Sequence, residues 1–223
     1  MTILAGCKDS TIPEIRTKKE YQAEQNFKSY FEYLSDNNRN LNNIKEYFFS
    51  ITISKTENNS VVTSDDYTYW LNHQKGQEFS GSLEYKNSKT DSSSSEIIKQ
   101  ENYPLLYSLK KVTYTDDIPS YRYDSLLLGS IDTTLLREYK IYDFLLKHPE
   151  TNLKDISYKV PVNSEILTFY IKEFNIKLPK EAFITFTKLG SNEYSYVLKI
   201  NSESERYMIH EGITLSNTEE FNK

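Results

Sequence analysis

Phe49-Ser50-Ile51-Thr52-Ile53, Tyr67-Thr68-Tyr69-Trp70-Leu71 and Phe79-Ser80-Gly81-Ser82-Leu83-Glu84-Tyr85 are the runs on which the fold reading turns. In each, large apolar residues take alternate positions, the period of a strand with one buried face. Glu57-Asn58-Asn59-Ser60 and His73-Gln74-Lys75-Gly76 separate them and carry turn chemistry. Short strands joined by such turns predict an antiparallel meander. Upstream, Ala23, Phe27, Tyr30, Phe31 and Leu34 are spaced to share one helix face. Thr11 is the candidate N-cap of that helix, with Pro13 and Glu14 in its first turn, and Asp36-Asn37-Asn38 ends it. A second, shorter helix is expected over Leu41, Ile44 and Tyr47 or Phe48. A helix lying on a small antiparallel meander is an α+β unit.

Downstream of the meander, Lys86 to Glu96 holds no apolar residue and predicts a linker or exposed loop. Pro104 precedes Leu105, Leu106, Tyr107 and Leu109, which predict a short helix. Asp132 is a candidate cap for a helix running to Lys147 on Leu135, Leu136, Tyr139, Tyr142 and Leu146, stopped by His148-Pro149. Short helices are expected at 153–159 and 164–174. Phe183 to Thr187 and Tyr194 to Leu198 flank Gly190-Ser191-Asn192, a hairpin signal. Tyr207-Met208-Ile209 is expected to add an edge strand, with Thr214 to Lys223 a polar tail. The expected organisation is a tether or remnant signal over 1–12, an α+β unit over 13–86 and a polar linker or loop over 87–102. A second α+β unit, a helical trio followed by the hairpin, covers 103–223.

Composition removes several functional classes. The 223 residues include 27 Lys plus Arg against 32 Asp plus Glu, for a net charge of -5. That balance argues against general nucleic-acid or anionic-membrane binding, which needs positive faces. No apolar run approaches the roughly 18 residues of a membrane-spanning helix. One cysteine and three scattered histidines do not make a disulfide framework or a zinc site, so neither metal nor cofactor is expected. Asp65-Asp66 and Asp116-Asp117 lack the alternating ligands of a calcium loop. The glycines are too dispersed for a phosphate cradle, and no G-x-S-x-G occurs. The residues therefore predict no enzyme.

Two short motifs resemble known families. Leu4-Ala5-Gly6-Cys7 is similar to the lipobox of bacterial lipoproteins. The resemblance implies that Cys7 carries the lipid and that Lys8 to Thr11 begin a polar spacer. A secretory leader needs a charged start and an apolar stretch of about 7–15 residues. Only Met1-Thr2-Ile3 precede the box, so the expectation places Met1 inside a longer leader. The implied location is the bacterial envelope, lipid-anchored, periplasmic or surface.

The second motif joins Ile141-Tyr142-Asp143-Phe144-Leu145-Leu146-Lys147 to Leu153-Lys154-Asp155-Ile156-Ser157-Tyr158-Lys159-Val160. With Val162, Ile166, Leu167, Tyr170 and Ile171, and the hairpin as a wing, it resembles a winged helix-turn-helix. Were Met1 the true start, the chain would be a cytoplasmic DNA-binding regulator. Lys154, Lys159 and Lys172 would then contact phosphates, and Ser164 and Thr168 would read bases. Residues 141–188 carry seven Lys against six Asp plus Glu, a net of +1, and Glu165 stands at the entry of the reading helix. Nucleic acid is therefore not the expected ligand. Tyr67, Tyr69 and Trp70 remain as a candidate binding cluster, since Tyr and Trp combine large area with a polar tip. The first expectation is thus a non-enzymatic envelope lipoprotein, a binding or structural protein whose partner is another protein, with an inhibitor or immunity-type role as one form of it.

Overall fold

The computed structural model describes residues 15–37, 40–57, 60–74, 76–108 and 110–216. Leu4-Ala5-Gly6-Cys7 and the predicted helix start at Thr11 to Glu14 lie outside the described residues. The expectation of a small meander, a helical trio and a hairpin is overturned. All ten strands join one antiparallel sheet. They are β1 (Ile44–Glu57), β2 (Val61–Asn72), β3 (Phe79–Thr90), β4 (Ser95–Ser108), β5 (Lys111–Tyr114), β6 (Lys140–Leu145), β7 (Lys154–Lys159), β8 (Glu181–Leu189), β9 (Glu193–Asn201) and β10 (Glu205–Leu215). The order across the sheet is β5-β4-β3-β2-β1-β10-β9-β8-β7-β6. Two consecutive meanders are thus sewn together by their first and last strands, from Ile44 opposite Leu215 to Lys55 opposite Glu205. Tyr207 to Ile209, expected at an edge, lie at the centre.

One face of this sheet is the core. Tyr47, Phe49, Ile51, Tyr69, Leu83, Ile209, Leu198, Ile184, Phe186 and Tyr158 all project to it and are buried. It is covered by α1 (Lys18–Gln25), α2 (Lys28–Ser35) and α3 (Glu165–Glu173). Ala23, Phe27, Tyr30 and Leu34 are fully buried there, and Phe31 meets Phe186 edge-on at 4.8 Å. Among the described residues, Thr17 caps α1 in a reciprocal box with Glu20. Arg16 then fixes the segment that leads into α1, donating from Nη2 to the carbonyls of Leu136 at 2.8 Å and Tyr139 at 2.7 Å.

The segment from Thr115 to Tyr139 completes the cover, for a topological reason. It leaves β5 at one edge and enters β6 at the other, so it must cross the sheet. Nine inter-strand gaps of about 4.8 Å put those edges roughly 43 Å apart. Asp124 holds its midpoint down, accepting from Tyr69 Oη at 3.0 Å and Tyr114 Oη at 2.7 Å. Asp132 does cap a helix, but a short 3-10 one over Thr133–Glu138.

The winged-helix resemblance fails here. Residues 140–145 and 154–159 are paired strands rather than the first two helices. Leu153, Ile156 and Val160 fit a helical step, yet Ile156, Tyr158 and Val160 also alternate, and the alternation is what is buried. Leu105 and Tyr107 likewise alternate in β4 rather than forming a helix, and Ile44 to Phe48 begin β1. Residues 87–102, expected as a linker or loop, are the arms of the β3–β4 hairpin. The sheet is continuous across them.

Candidate functional site

The helix-covered face leaves the opposite face of the sheet to be considered alone. Most of it is polar: Ser50, Thr52, Ser54, Ser64, Asp66, Thr68, Ser82 and Glu84 occupy the alternate positions of β1 to β3. Apolar residues enter the face farther along, with Tyr142 against Phe183 at 5.0 Å and Val197 and Met208 on β9 and β10. One row across the middle stands out by its shape. Reading from β3 to β8 it runs Ser82, Trp70, Phe48, Gly212, Ser195 and Thr187, each opposite the next. Two aromatic rings therefore stand beside three small residues. A ridge falls into a trough.

The ridge is rigid. Phe48 and Trp70 lie 4.3 Å apart between ring centroids, and the His210 imidazole meets Phe48 edge-on at 4.9 Å. Trp70 nonetheless remains 53% exposed. Leu189, Glu193 and Thr214 wall the trough on one side, and His210 stands on the other. The resulting groove encloses about 410 Å³. Gly212 forms its floor. A Cβ there would meet Ser195 Cβ at 3.5 Å and Phe48 Cβ at 4.0 Å, so the position has room but is left empty. Gly81 has a different task. A Cβ on it would lie 1.7 Å from the Trp70 carbonyl oxygen, so only glycine lets β3 approach β2 behind the tryptophan.

Charge in the lining is acidic, from Glu46 and Glu193. Burial holds the His210 imidazole below its ordinary value, so the neutral ring is favoured. The groove is thus an apolar slot with carboxylates at its margin. It offers shape and charge rather than a nucleophile with an adjacent base. Among the described residues no group of three or more His, Cys, Asp or Glu is placed to hold a metal ion.

Of the sequence-predicted cluster, the structure separates Trp70 from Tyr67 and Tyr69. Neighbouring residues of a strand face opposite sides, so the two tyrosines enter the core while the tryptophan leaves it. Tyr69 donates to Asp124 and accepts from Tyr123 N at 2.9 Å. Tyr67 packs edge-on against Tyr123 at 5.0 Å. Burial raises the phenol of each. Both are structural.

The residues assigned to DNA contact do not converge. Lys154 donates to Asn26 Oδ1 at 2.9 Å on the covered face, whereas Lys159 lies over the Phe183 ring on the opposite one. Ser164 caps α3, Thr168 donates back to the Ser164 carbonyl at 3.0 Å, and Lys172 is in the last helical turn. Sequence reading missed Phe48, His210 and Gly212. Their signal was available: each is out of phase with the buried residues of its own strand.

No helix among the described residues is long and apolar enough to cross a membrane. The chain matches no protein-family model and no curated protein sequence.

Proposed function

We propose that the protein is a non-enzymatic binding protein of the bacterial cell envelope, tethered through lipid on Cys7, which takes a protein partner in the Trp70 groove. The aromatic ridge beside a glycine-floored trough, on a sheet face that is polar over the rest of β1 to β3, carries this reading. The groove is open and holds about 410 Å³, which suits a knob on another protein better than an enclosed metabolite. Its carboxylates set the chemistry of that knob. The partner presents an aromatic or branched aliphatic side chain next to a lysine or arginine, so that the apolar group fills the trough and the cation meets Glu193, since Glu46 is paired with Lys45 at 2.9 Å.

The tether suits such a role. Eight residues separate Cys7 from Arg16, where the chain is fixed to the body, and they can span at most roughly 30 Å. Lipidation would therefore hold the groove near the membrane surface; more than one acyl chain is needed for stable anchoring. Labelling with a radioactive fatty acid, lost in Cys7→Ser, tests the anchor.

Selection from a displayed peptide library tests the groove. Enriched sequences should pair a large apolar residue with a basic one. Their binding should weaken by about 2 kcal/mol in Trp70→Ala, the scale of an interface hot spot. Enrichment of acidic sequences, or binding indifferent to Trp70, would refute the reading.

A further inference from the structure

A second concave site lies on the covered side, where the crossing segment meets α3. Leu126, Ile131, Leu135, Ile166, Phe169 and Tyr170 line a cavity of about 450 Å³. Its interior is aliphatic and aromatic, while Ser125, Ser130, Asp132 and Glu165 supply its polar atoms. The charged pair is wholly acidic.

The hydroxyl protons decide what those polar atoms can do. A serine hydroxyl has one proton to give and lone pairs to receive with. Ser130 Oγ spends its proton on Asn37 Oδ1 at 2.6 Å, and Ser125 Oγ donates to Glu173 Oε1 at 3.3 Å. Toward the cavity both can therefore act only as acceptors. Asp132 accepts from Thr134 N at 3.0 Å through Oδ1, and an ionised carboxylate has nothing to donate. At the N-terminus of α3, Ser164 Oγ accepts from Leu167 N and the acidic Glu165 in the first turn offsets the positive end.

The floor points the same way. Tyr170 hydrogen-bonds Tyr196, which donates to Glu211 Oε2 at 3.3 Å; Glu211 is only 1% exposed. The rings of Phe169 and Tyr170 give the cavity two aromatic faces. An electron-rich aromatic face attracts cations.

We propose that this cavity binds a small amphipathic ammonium ion, a protonated primary amine on a compact apolar or aromatic body. The ammonium group meets Asp132, Glu165 and the serine lone pairs, and the body fills the space between Leu126, Ile131, Ile166 and Phe169. The site is independent of the Trp70 groove, which lies on the opposite face.

Three probes of nearly equal shape test it: phenethylammonium, phenethyl alcohol and hydrocinnamate. Calorimetric titration, with backbone NMR to locate the site, should show saturable binding of the cation, perturbing residues 126–135 and 165–170. The alcohol should bind about tenfold more weakly and the anion not at all. The double variant Asp132→Asn, Glu165→Gln keeps side-chain shape and the cap on Thr134. It should lose about tenfold in affinity for the amine but not for the alcohol. Trp70→Ala should leave amine binding unchanged, so failure here is separable from failure at the groove. Equal affinity for amine and alcohol, undiminished binding by the double variant, or perturbations centred on Trp70 would each overturn the proposal.

Discussion

Glycine is used for opposite purposes at two positions, and the difference gives a paired prediction. At Gly81 an added methyl group would strike the Trp70 carbonyl at 1.7 Å, and neither backbone can move without breaking the β2–β3 ladder. Gly81→Ala should destabilise the protein by roughly 2–3 kcal/mol in denaturant titrations, the scale of overpacking. At Gly212 the same atom meets only ordinary contacts, and an interior strand position gains from a branched side chain. Gly212→Val should leave stability within about 0.5 kcal/mol of wild type, or raise it, while filling the trough. His210 adds a pH dependence. Burial depresses its folded pKa below the ordinary 6.5, so over that interval the unfolded chain binds the proton and the folded chain does not. Stability is therefore fullest above about pH 6.5 and declines as pH falls from there through the folded value. His210→Gln should lose less stability than wild type between about pH 7 and about pH 5; parallel profiles would contradict the assignment. Charging His210 would also set a positive ring beside the partner's basic residue and weaken binding.

Among the elements, the crossing segment depends most on a few bonds. Asp124 accepts hydrogen bonds from the phenols of Tyr69 and Tyr114 and pairs with Arg122 Nε at 3.3 Å. Asp124→Ala would leave both phenols without this acceptor, at a cost of about 2–3 kcal/mol. Hydrogen exchange should accelerate over 116–131 before it does in β1 or β10; uniform protection would show that packing alone holds the segment. The elements also explain which parts of the fold were legible in the sequence. β1 to β3 have one covered and one open face, and Tyr67, Tyr69 and Leu71 announce it by alternation. The β3–β4 hairpin extends past the helical cover, so Lys86 to Glu96 has no buried face to encode and reads as loop. Pro104 reads as a helix start but sits in β4 with its carbonyl accepting from Thr115 N at 3.1 Å, toward β5. Its missing N–H falls on that lightly paired side. Ile156 and Val160 satisfy strand and helix spacing together, and only the pairing of β7 with β8 resolves them. Trp70 was legible as a candidate, but its separation from Tyr67 and Tyr69 needed the strand assignment first.

At the scale of the whole molecule, the pairing of β1 with β10 makes each meander depend on the other. Ile51 faces Ile209 across that seam and both are fully buried. Ile209→Ala should cost about 2–5 kcal/mol and lower the stability of both halves together. Far-ultraviolet circular dichroism and Trp70 emission should give one coincident unfolding curve in wild type and variant; separated transitions would mean two independent units. The same seam brings Phe48, Trp70 and Gly212 into one row, so the groove exists only in the assembled sheet. Trp70 is the one tryptophan in the chain, and its fluorescence therefore reports on the groove without labels. Titrating a selected apolar-basic peptide into the intact protein while following that emission is the most direct test. Binding should shift the emission to the blue and shield Trp70 from acrylamide quenching, and Gly212→Val should abolish both changes. A peptide that binds with equal affinity to wild type and Gly212→Val, leaving the emission of each unchanged, would contradict the assignment of this groove as the binding site.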